Sequence, residues 1–334
     1  MNILVCGGAG YIGSHMVRRL LHAGHSPVVF DNFSTGHEWA VERAFLGFGA
    51  PELIQGDLLD KASLAHVFNS RYFDAVMHFS AFTLVGESVG KPGMYYENNV
   101  TGTLNLLRAM TEASVDVFVF SSTCAIFGEP KTMPVVEELP FGPISPYASS
   151  KFVAEMMMAD FARAHGLKAM ALRYFNAAGA DPAGDIGESH NPESHLIPNA
   201  IKAVLGEGPP LSIFGNDYPT PDGTCLRDYV HVNDLATAHI AALDHLNNTP
   251  TGGFFDAVNL GTGRATSVLE VLQSVERISG SHVPHSFVPR RPGDAPALYA
   301  GPAKAKALLR WIPEYTDIDS IIATAWNWHS RKEK

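Results

Sequence analysis

A short apolar run, Ile3-Leu4-Val5-Cys6, leads directly into Gly7-Gly8-Ala9-Gly10-Tyr11-Ile12-Gly13, and no other stretch restricts the possible folds as much. The spacing Gly7-x-x-Gly10-x-x-Gly13 suits a strand turning tightly into a helix. Gly7 permits the turn, Gly10 lets the backbone approach a pyrophosphate, and Gly13 seats the helix close to the sheet, with its N-terminus facing the anion. A second apolar run, Val28–Phe30, ends at Asp31, about 20 residues further on, where a carboxylate accepts ribose hydroxyls and repels a 2′-phosphate. The expected cofactor is therefore NAD rather than NADP. Asp57, after Gln55-Gly56, is open to two readings: a contact to the adenine amino group, or an ordinary turn residue.

Further apolar runs at Leu53–Gln55, Ala75–Phe79, Val117–Phe120 and Ala169–Leu172 are near-continuous rather than alternating, as expected of strands buried on both faces. Helical patterns separate them, such as Ile12, Met16 and Leu20 with Gly24 as a stop, and Val100, Leu104 and Leu107. Repeated βαβ units predict an α/β fold, a Rossmann-like doubly wound parallel sheet. After about Phe175 the alternation gives way to loops, Ala178–Pro192 and Asn216–Thr224, with helical pieces near Ile197–Leu205, Asp234–Leu246 and Ile318–Trp328. The expected division is a Rossmann domain over 1–175 and a smaller α/β substrate lobe over 176–334, some of whose segments return to the body. Trp326 and Trp328 are expected in packing.

The 334 residues carry 24 Lys plus Arg and 34 Asp plus Glu, a net charge of −10. That balance argues against nucleic acid as a partner and leaves room for a local basic site on a phosphorylated small molecule. Cys6, Cys124 and Cys225 are scattered, so neither a disulfide framework nor a cysteine zinc site is expected, and no metal is assigned. No apolar stretch approaches the ~20 residues of a membrane span, and no signal sequence precedes the first strand, so a cytoplasmic location is expected. The terminal Arg331-Lys332-Glu333-Lys334 reads as a solvated tail.

Pro146-Tyr147-Ala148-Ser149-Ser150-Lys151 opens a helix on which Tyr147 and Lys151, four residues apart, share a face. At an effective dielectric of ~20 and ~5 Å, the lysine charge stabilises a tyrosinate by about 3 kcal/mol, roughly two pKa units. A phenol lowered from ~10 toward ~7 is a useful general base. Ser121-Ser122-Thr123 ends a buried strand, the edge at which doubly wound folds bind ligands. Thr123 there either relays a substrate proton to Tyr147 or caps a turn.

These residues resemble the extended short-chain dehydrogenase/reductases and, within them, the UDP-glucose 4-epimerase family. The resemblance covers essentially the whole chain: Gly7–His15, His78-Phe79, Val85–Ser88, Tyr95–Gly102, Ser121–Thr123, Tyr147–Lys151, Arg173–Asn176, Ile213–Thr220, Asp222–Thr224, Arg227–His231 and Arg290-Arg291-Pro292-Gly293-Asp294. It implies NAD contacts from Gly7, Gly10, Tyr11, Ile12, Gly13, Asp31, Asn32, Asp57, Leu58, Phe79, Ala81, Asn98 and Phe175, with Tyr147, Lys151 and Thr123 catalytic and Lys151 on the nicotinamide ribose. For a UDP-sugar it implies Thr123, Asn176, His195, Leu196, Ile213, Phe214, Arg227, Arg291, Asp294 and Leu298, the two arginines neutralising the pyrophosphate. Read without it, each arginine is a surface ion-pair former and His195 a satisfied loop residue.

The implied reaction inverts C4 of the hexose: Tyr147 removes the 4-hydroxyl proton, hydride passes to NAD⁺, the 4-keto sugar turns about its tether, and both return. Thr123 replaces the family's usual Ser, Phe127 stands where Tyr is frequent, and Thr83 where some members use Lys. Leu298, where members confined to unacetylated sugars often carry Tyr, leads to an expected activity on UDP-N-acetylhexosamines. Rival readings are a UDP-glucuronate 4-epimerase, a 4,6-dehydratase, or a non-catalytic NAD sensor. A dehydratase needs an acid soon after the active-site Ser/Thr, and Thr123-Cys124-Ala125-Ile126 has none. The resemblance also implies a homodimer.

Overall fold

The computed structural model describes residues 1–291 and 294–331. Pro292 and Gly293 of the late arginine motif, and 332–334 of the tail, lie outside the described residues. Seven strands form the main sheet: β1 (Asn2–Cys6), β2 (Ser26–Asp31), β3 (Leu53–Gln55), β4 (Ala75–His78), β5 (Val117–Thr123), β6 (Lys168–Tyr174) and β7 (Phe254–Leu260). Their order is β7-β6-β5-β4-β1-β2-β3, with every pairing parallel. The six apolar runs all fall in β1–β6, and the Rossmann-like fold is the one expected.

Alternate side chains of these strands enter two different cores. Ile3, Val5, Val29, Met77, Val119 and Leu172 pack under Met16, Val17 and Leu20 of the helix Tyr11–His22 and under Leu235, Leu243 and Leu246 of the helix Val232–Asn247. Leu4, Cys6, Val28, Phe30, Val76, Phe118 and Phe120 meet Leu106, Leu107 and Met110 of Gly102–Glu112 and Ala154, Met158 and Ala162 of Pro146–His165. Burial on both faces is what makes the runs continuous in sequence.

The order reverses at β1, whose chain successor β2 lies on one side while β4 lies on the other. That reversal opens a crevice beyond the strand C-termini. A third core joins the helices Leu196–Leu205, Val268–Ser279 and Ile318–His329 through Ile197, Ile201, Val271, Val275, Ile321 and Ile322. Trp328 is buried there against Trp39, and Trp326 packs on the same core. Among the described residues no helix is long and apolar enough to cross a membrane.

Candidate active site

The glycine loop is fixed by its own backbone. Gly7 has φ +80°, and a Cβ placed on it would lie 2.5 Å from the Ser80 nitrogen. A Cβ on Gly13 would lie 2.1 Å from the Gly7 carbonyl oxygen, so the close helix–loop contact admits only glycine. At Gly10 the nearest chain atom is 3.4 Å away, so the chain alone does not demand glycine there; an approaching pyrophosphate does. Gly10 caps the helix Tyr11–His22 with no side-chain acceptor, leaving the first N–H groups of the helix for an anion.

Asp31 Oδ2 accepts from Ala9 N at 2.9 Å and Oδ1 from Phe33 N at 2.9 Å. Burial raises its pKa, against the pull of these backbone donors. The carboxylate thus shapes the loop and also lines a crevice with Gly7, Gly10, Asn32, Asp57, Leu58, Phe79, Ala81 and Asn98. Asp57 fills its turn role, accepting from Leu59 N at 2.8 Å, and receives Asn32 Nδ2 at 2.8 Å on the other oxygen while still facing the crevice. A nucleoside with a pyrophosphate fits these donors and acceptors.

The helix Pro146–His165 begins where Ser145 accepts from Ala148 N at 3.2 Å and proline takes the first helical position. Tyr147 thereby projects from the first turn into a cavity of about 380 Å³ that also takes in Gly7, Gly10, Thr123, Lys151, Phe175, Asn176, His195 and Leu196. Tyr147 and Thr123 both line this cavity, and the Thr123 hydroxyl pulls the phenol's pKa down. Thr123 Oγ1 accepts from Ala125 N at 3.1 Å, the geometry of a turn cap.

Lys151 departs from expectation. Its Nζ donates to the Ser121 carbonyl at 2.8 Å and lies 4.6 Å from the Phe120 ring centroid. Burial pushes it down to about 7, opposed by Glu155. Burial likewise pushes the Tyr147 phenol up to about 12, opposed by the neighbouring Thr123 hydroxyl. In the chain alone, desolvation holds the phenol high and the Lys151 ammonium is aimed at the end of β5.

Glu155, one turn beyond Lys151 and absent from the expected site, anchors this arrangement. It accepts from Ser122 Oγ at 2.5 Å and from Arg173 Nη2 at 2.6 Å, with both charged side chains almost fully enclosed. Its spacing of eight from Tyr147 was the available signal. Asn99 was likewise missed as an anchor: it donates to Phe82 O and Ser150 Oγ, both at 3.0 Å, and accepts from Phe82 N at 2.9 Å, setting the loop beside Asn98. Tyr11, expected on the cofactor, also donates its hydroxyl to Gly179 O at 2.6 Å, tying the glycine loop to the second half of the chain.

The remaining expected residues form a second group. Arg227 donates to Leu226 O and Ala295 O, both at 2.9 Å, and pairs with Asp294 at 3.3 Å. Arg291 lies 3.7 Å over the Phe214 ring, and neighbouring Ile213 is buried. Leu298 sits in register with Arg227 and packs on the cluster of Cys124, Phe127 and Phe175, which places this group beside Thr123. Asp228, fully buried, joins these segments by accepting from Thr262 N, Gly263 N and Ala300 N at 2.9, 3.0 and 3.2 Å.

A parallel doubly wound sheet with this glycine loop and a Thr-Tyr-Lys set at the end of β5 defines a dinucleotide-dependent enzyme of the short-chain dehydrogenase/reductase type. The chain belongs to the NAD dependent epimerase/dehydratase family, which it matches over residues 3–261. It is 46% identical to a UDP-glucose 4-epimerase of Lactobacillus helveticus, over 100% of this chain and 98% of that one. It is similar to the crystal structure of UDP-glucose 4-epimerase from Brucella ovis in complex with NAD, with 48% identity, a TM-score of 0.92 and 98% of each chain covered. The UDP-glucose 4-epimerase from Bifidobacterium longum in complex with NAD⁺ and UDP matches with a TM-score of 0.94 and 38% identity over 99% of each chain.

Proposed function

We propose that this chain interconverts UDP-glucose and UDP-galactose by inverting C4, with NAD held throughout the turnover. The observation that carries this is one cavity lined by the glycine loop together with Thr123, Tyr147 and Lys151. When bound, NAD⁺ supplies the acceptor for the C4 hydride and then its donor. Thr123 receives the sugar 4-hydroxyl and passes its proton to Tyr147, which lines the same cavity. Lys151, fixed by the Ser121 carbonyl, holds the nicotinamide ribose and adds positive charge beside the phenol. Arg227 and Arg291 hold the pyrophosphate, so a 4-keto sugar turns without escaping. Residues 1–175 serve the cofactor and 176–334 mainly the UDP-sugar.

The segment after Thr123 is a short 3₁₀ turn, Cys124–Phe127, without an acid, which favours epimerisation over dehydration. Purified protein given UDP-galactose without added NAD is expected to form UDP-glucose. No conversion, with or without NAD, overturns the reading.

Leu298, packed with Phe175 on the Cys124–Phe127 cluster that follows Thr123, supports a wider substrate range because its side chain is smaller than a tyrosine ring. UDP-N-acetylglucosamine is an expected second substrate, and Leu298→Tyr is expected to remove that activity while sparing UDP-glucose. Turnover of only the unacetylated pair, unchanged by Leu298→Tyr, refutes the idea. A homodimer is supported by exposed Val85 and Val89 on a helix packed against the Met156-bearing helix Pro146–His165. A cytoplasmic location is supported by three free, buried cysteines.

A further inference from the structure

The loop that leads into His195 carries a donor set of which the proposed epimerisation uses only His195. Glu188, His190, Glu193 and His195 each direct one ligand atom to a common point, and these four atoms lie within 4.8 Å of one another. Glu188 is buried and its Oε1 meets His190 Nδ1 at 2.9 Å and His195 Nδ1. Glu193 has one oxygen occupied by its own loop, which accepts from Ser194 N at 2.9 Å and His195 N at 3.0 Å. Its other oxygen, Oε2, is buried with no hydrogen-bond partner, on a side chain only 4% exposed. The nearest cation to it, Lys202 Nζ, stands at 3.9 Å, too far to donate. Glu193 has only long ion pairs, with Lys202 on Oε2 and with His190 Nδ1 at 3.8 Å from Oε1, so its buried Oε2 is left without a hydrogen bond.

The backbone beneath the cluster is held from outside it. Trp328 Nε1 donates to Glu188 O at 2.9 Å, His37 Nε2 meets Ser189 O at 2.8 Å, and Gly187 lies against the Trp328 ring, where a Cβ would meet its Cγ at 2.4 Å. A loop anchored at its main chain and converging at its side chains is the arrangement of a metal site with outer support.

We infer that Glu188, His190, Glu193 and His195 bind one divalent transition-metal ion of the zinc class on the wall of the sugar cavity. Two imidazole nitrogens and two carboxylate oxygens match the ligand preference of Zn²⁺ and Co²⁺ over Mg²⁺. Bonds of about 2.0–2.2 Å separate tetrahedral donors by roughly 3.4 Å, so the present spread closes with small side-chain rotations. The absence of cysteine pairs, from which no metal was expected, does not bear on this donor set. Because Glu188, His190 and His195 also line the cavity, the ion sits within reach of the proposed sugar-nucleotide site. Its binding does not depend on which sugar nucleotide the chain takes.

The test is titration of the purified, NAD-loaded protein with Co²⁺ alone, followed by visible absorption, and then with Zn²⁺. The site predicts one equivalent of Co²⁺ with the intense bands of four-coordinate geometry, displaced by Zn²⁺. His190→Asn and Glu193→Gln are each expected to weaken binding by about tenfold or more, with far-UV circular dichroism and retained NAD reporting an intact fold. His282→Asn, at the exposed Glu276–His282 pair, is expected to leave it unchanged. X-ray absorption of the Zn²⁺-loaded wild type gives an answer free of any variant: a shell of two imidazoles with oxygen supports the site. No stoichiometric band, binding that survives both substitutions, or a shell with sulfur or a single imidazole overturns it.

Discussion

The cofactor crevice and the sugar wall are built from different materials. Around the crevice, geometry is set by main chain: Gly13 lies against the Gly7 carbonyl, Gly7 against the Ser80 backbone, and even Asp31 is bound by backbone N–H groups. On the sugar side, position depends on side chains meeting from distant segments. Arg227 rests on Asp294 and Ala295, Leu298 on Cys124 and Phe127, and His195 on Glu188. A backbone-built site resists substitution at a few glycines and little else. A site of side-chain pairs can be retuned one residue at a time, which suits a wall that selects among sugars.

The largest effect is expected where the two regions meet. Tyr147→Phe removes the proton acceptor without disturbing the packing, and turnover should fall by about 10²–10⁴-fold while bound NAD is retained. A variant keeping full rate would remove Tyr147 from the mechanism.

Paired glycine substitutions then separate chain from ligand within the crevice. Gly13→Ala drives a Cβ into the Gly7 carbonyl and should cost about 1–3 kcal/mol of stability as well as NAD retention, read by denaturant unfolding and bound nucleotide. Gly10→Ala should lose NAD with little change in folding. Equal losses of stability at both positions would mean that Gly10 too is held by the chain.

Acid should loosen the packed body that carries both regions. His15 on the helix Tyr11–His22 and His239 on the helix Val232–Asn247 are buried and pushed down to about 4, chiefly by desolvation; His78 and His231 are pushed down to about 3. Between pH 6.5 and 4 the unfolded chain binds protons at these four sites that the folded chain refuses, so the unfolded state is favoured as pH falls. Each histidine contributes up to about 1.4 kcal/mol per pH unit over that range. Stability should therefore be fully present above about pH 6.5 and decline below it; a flat unfolding profile from pH 7 to 4.5 would contradict these buried neutral imidazoles.

The same contrast governs what the sequence alone made legible. The sheet strands and the glycine loop could be read because a two-face-buried strand is a continuous apolar run and a positive φ or a missing Cβ requires glycine. Tyr147 and Lys151 were visible through helical spacing and through Ser121–Thr123 at a strand end. The sugar wall was not legible from local pattern, since nothing near Arg227 reveals that Asp294, 67 positions on, will pair with it; only the family resemblance pointed there. Local pattern also says nothing of burial, which encloses Lys151 between the Phe120 ring and the carbonyl at the end of β5.

The central claim is that hydrogen leaves C4 as hydride and returns to the same carbon from the same cavity. UDP-galactose deuterated at C4, turned over in ordinary water by the purified protein, tests it directly. UDP-glucose should retain the deuterium at C4, with none released to solvent. Product carrying solvent hydrogen at C4 would mean that the carbon is deprotonated instead, and would contradict the account.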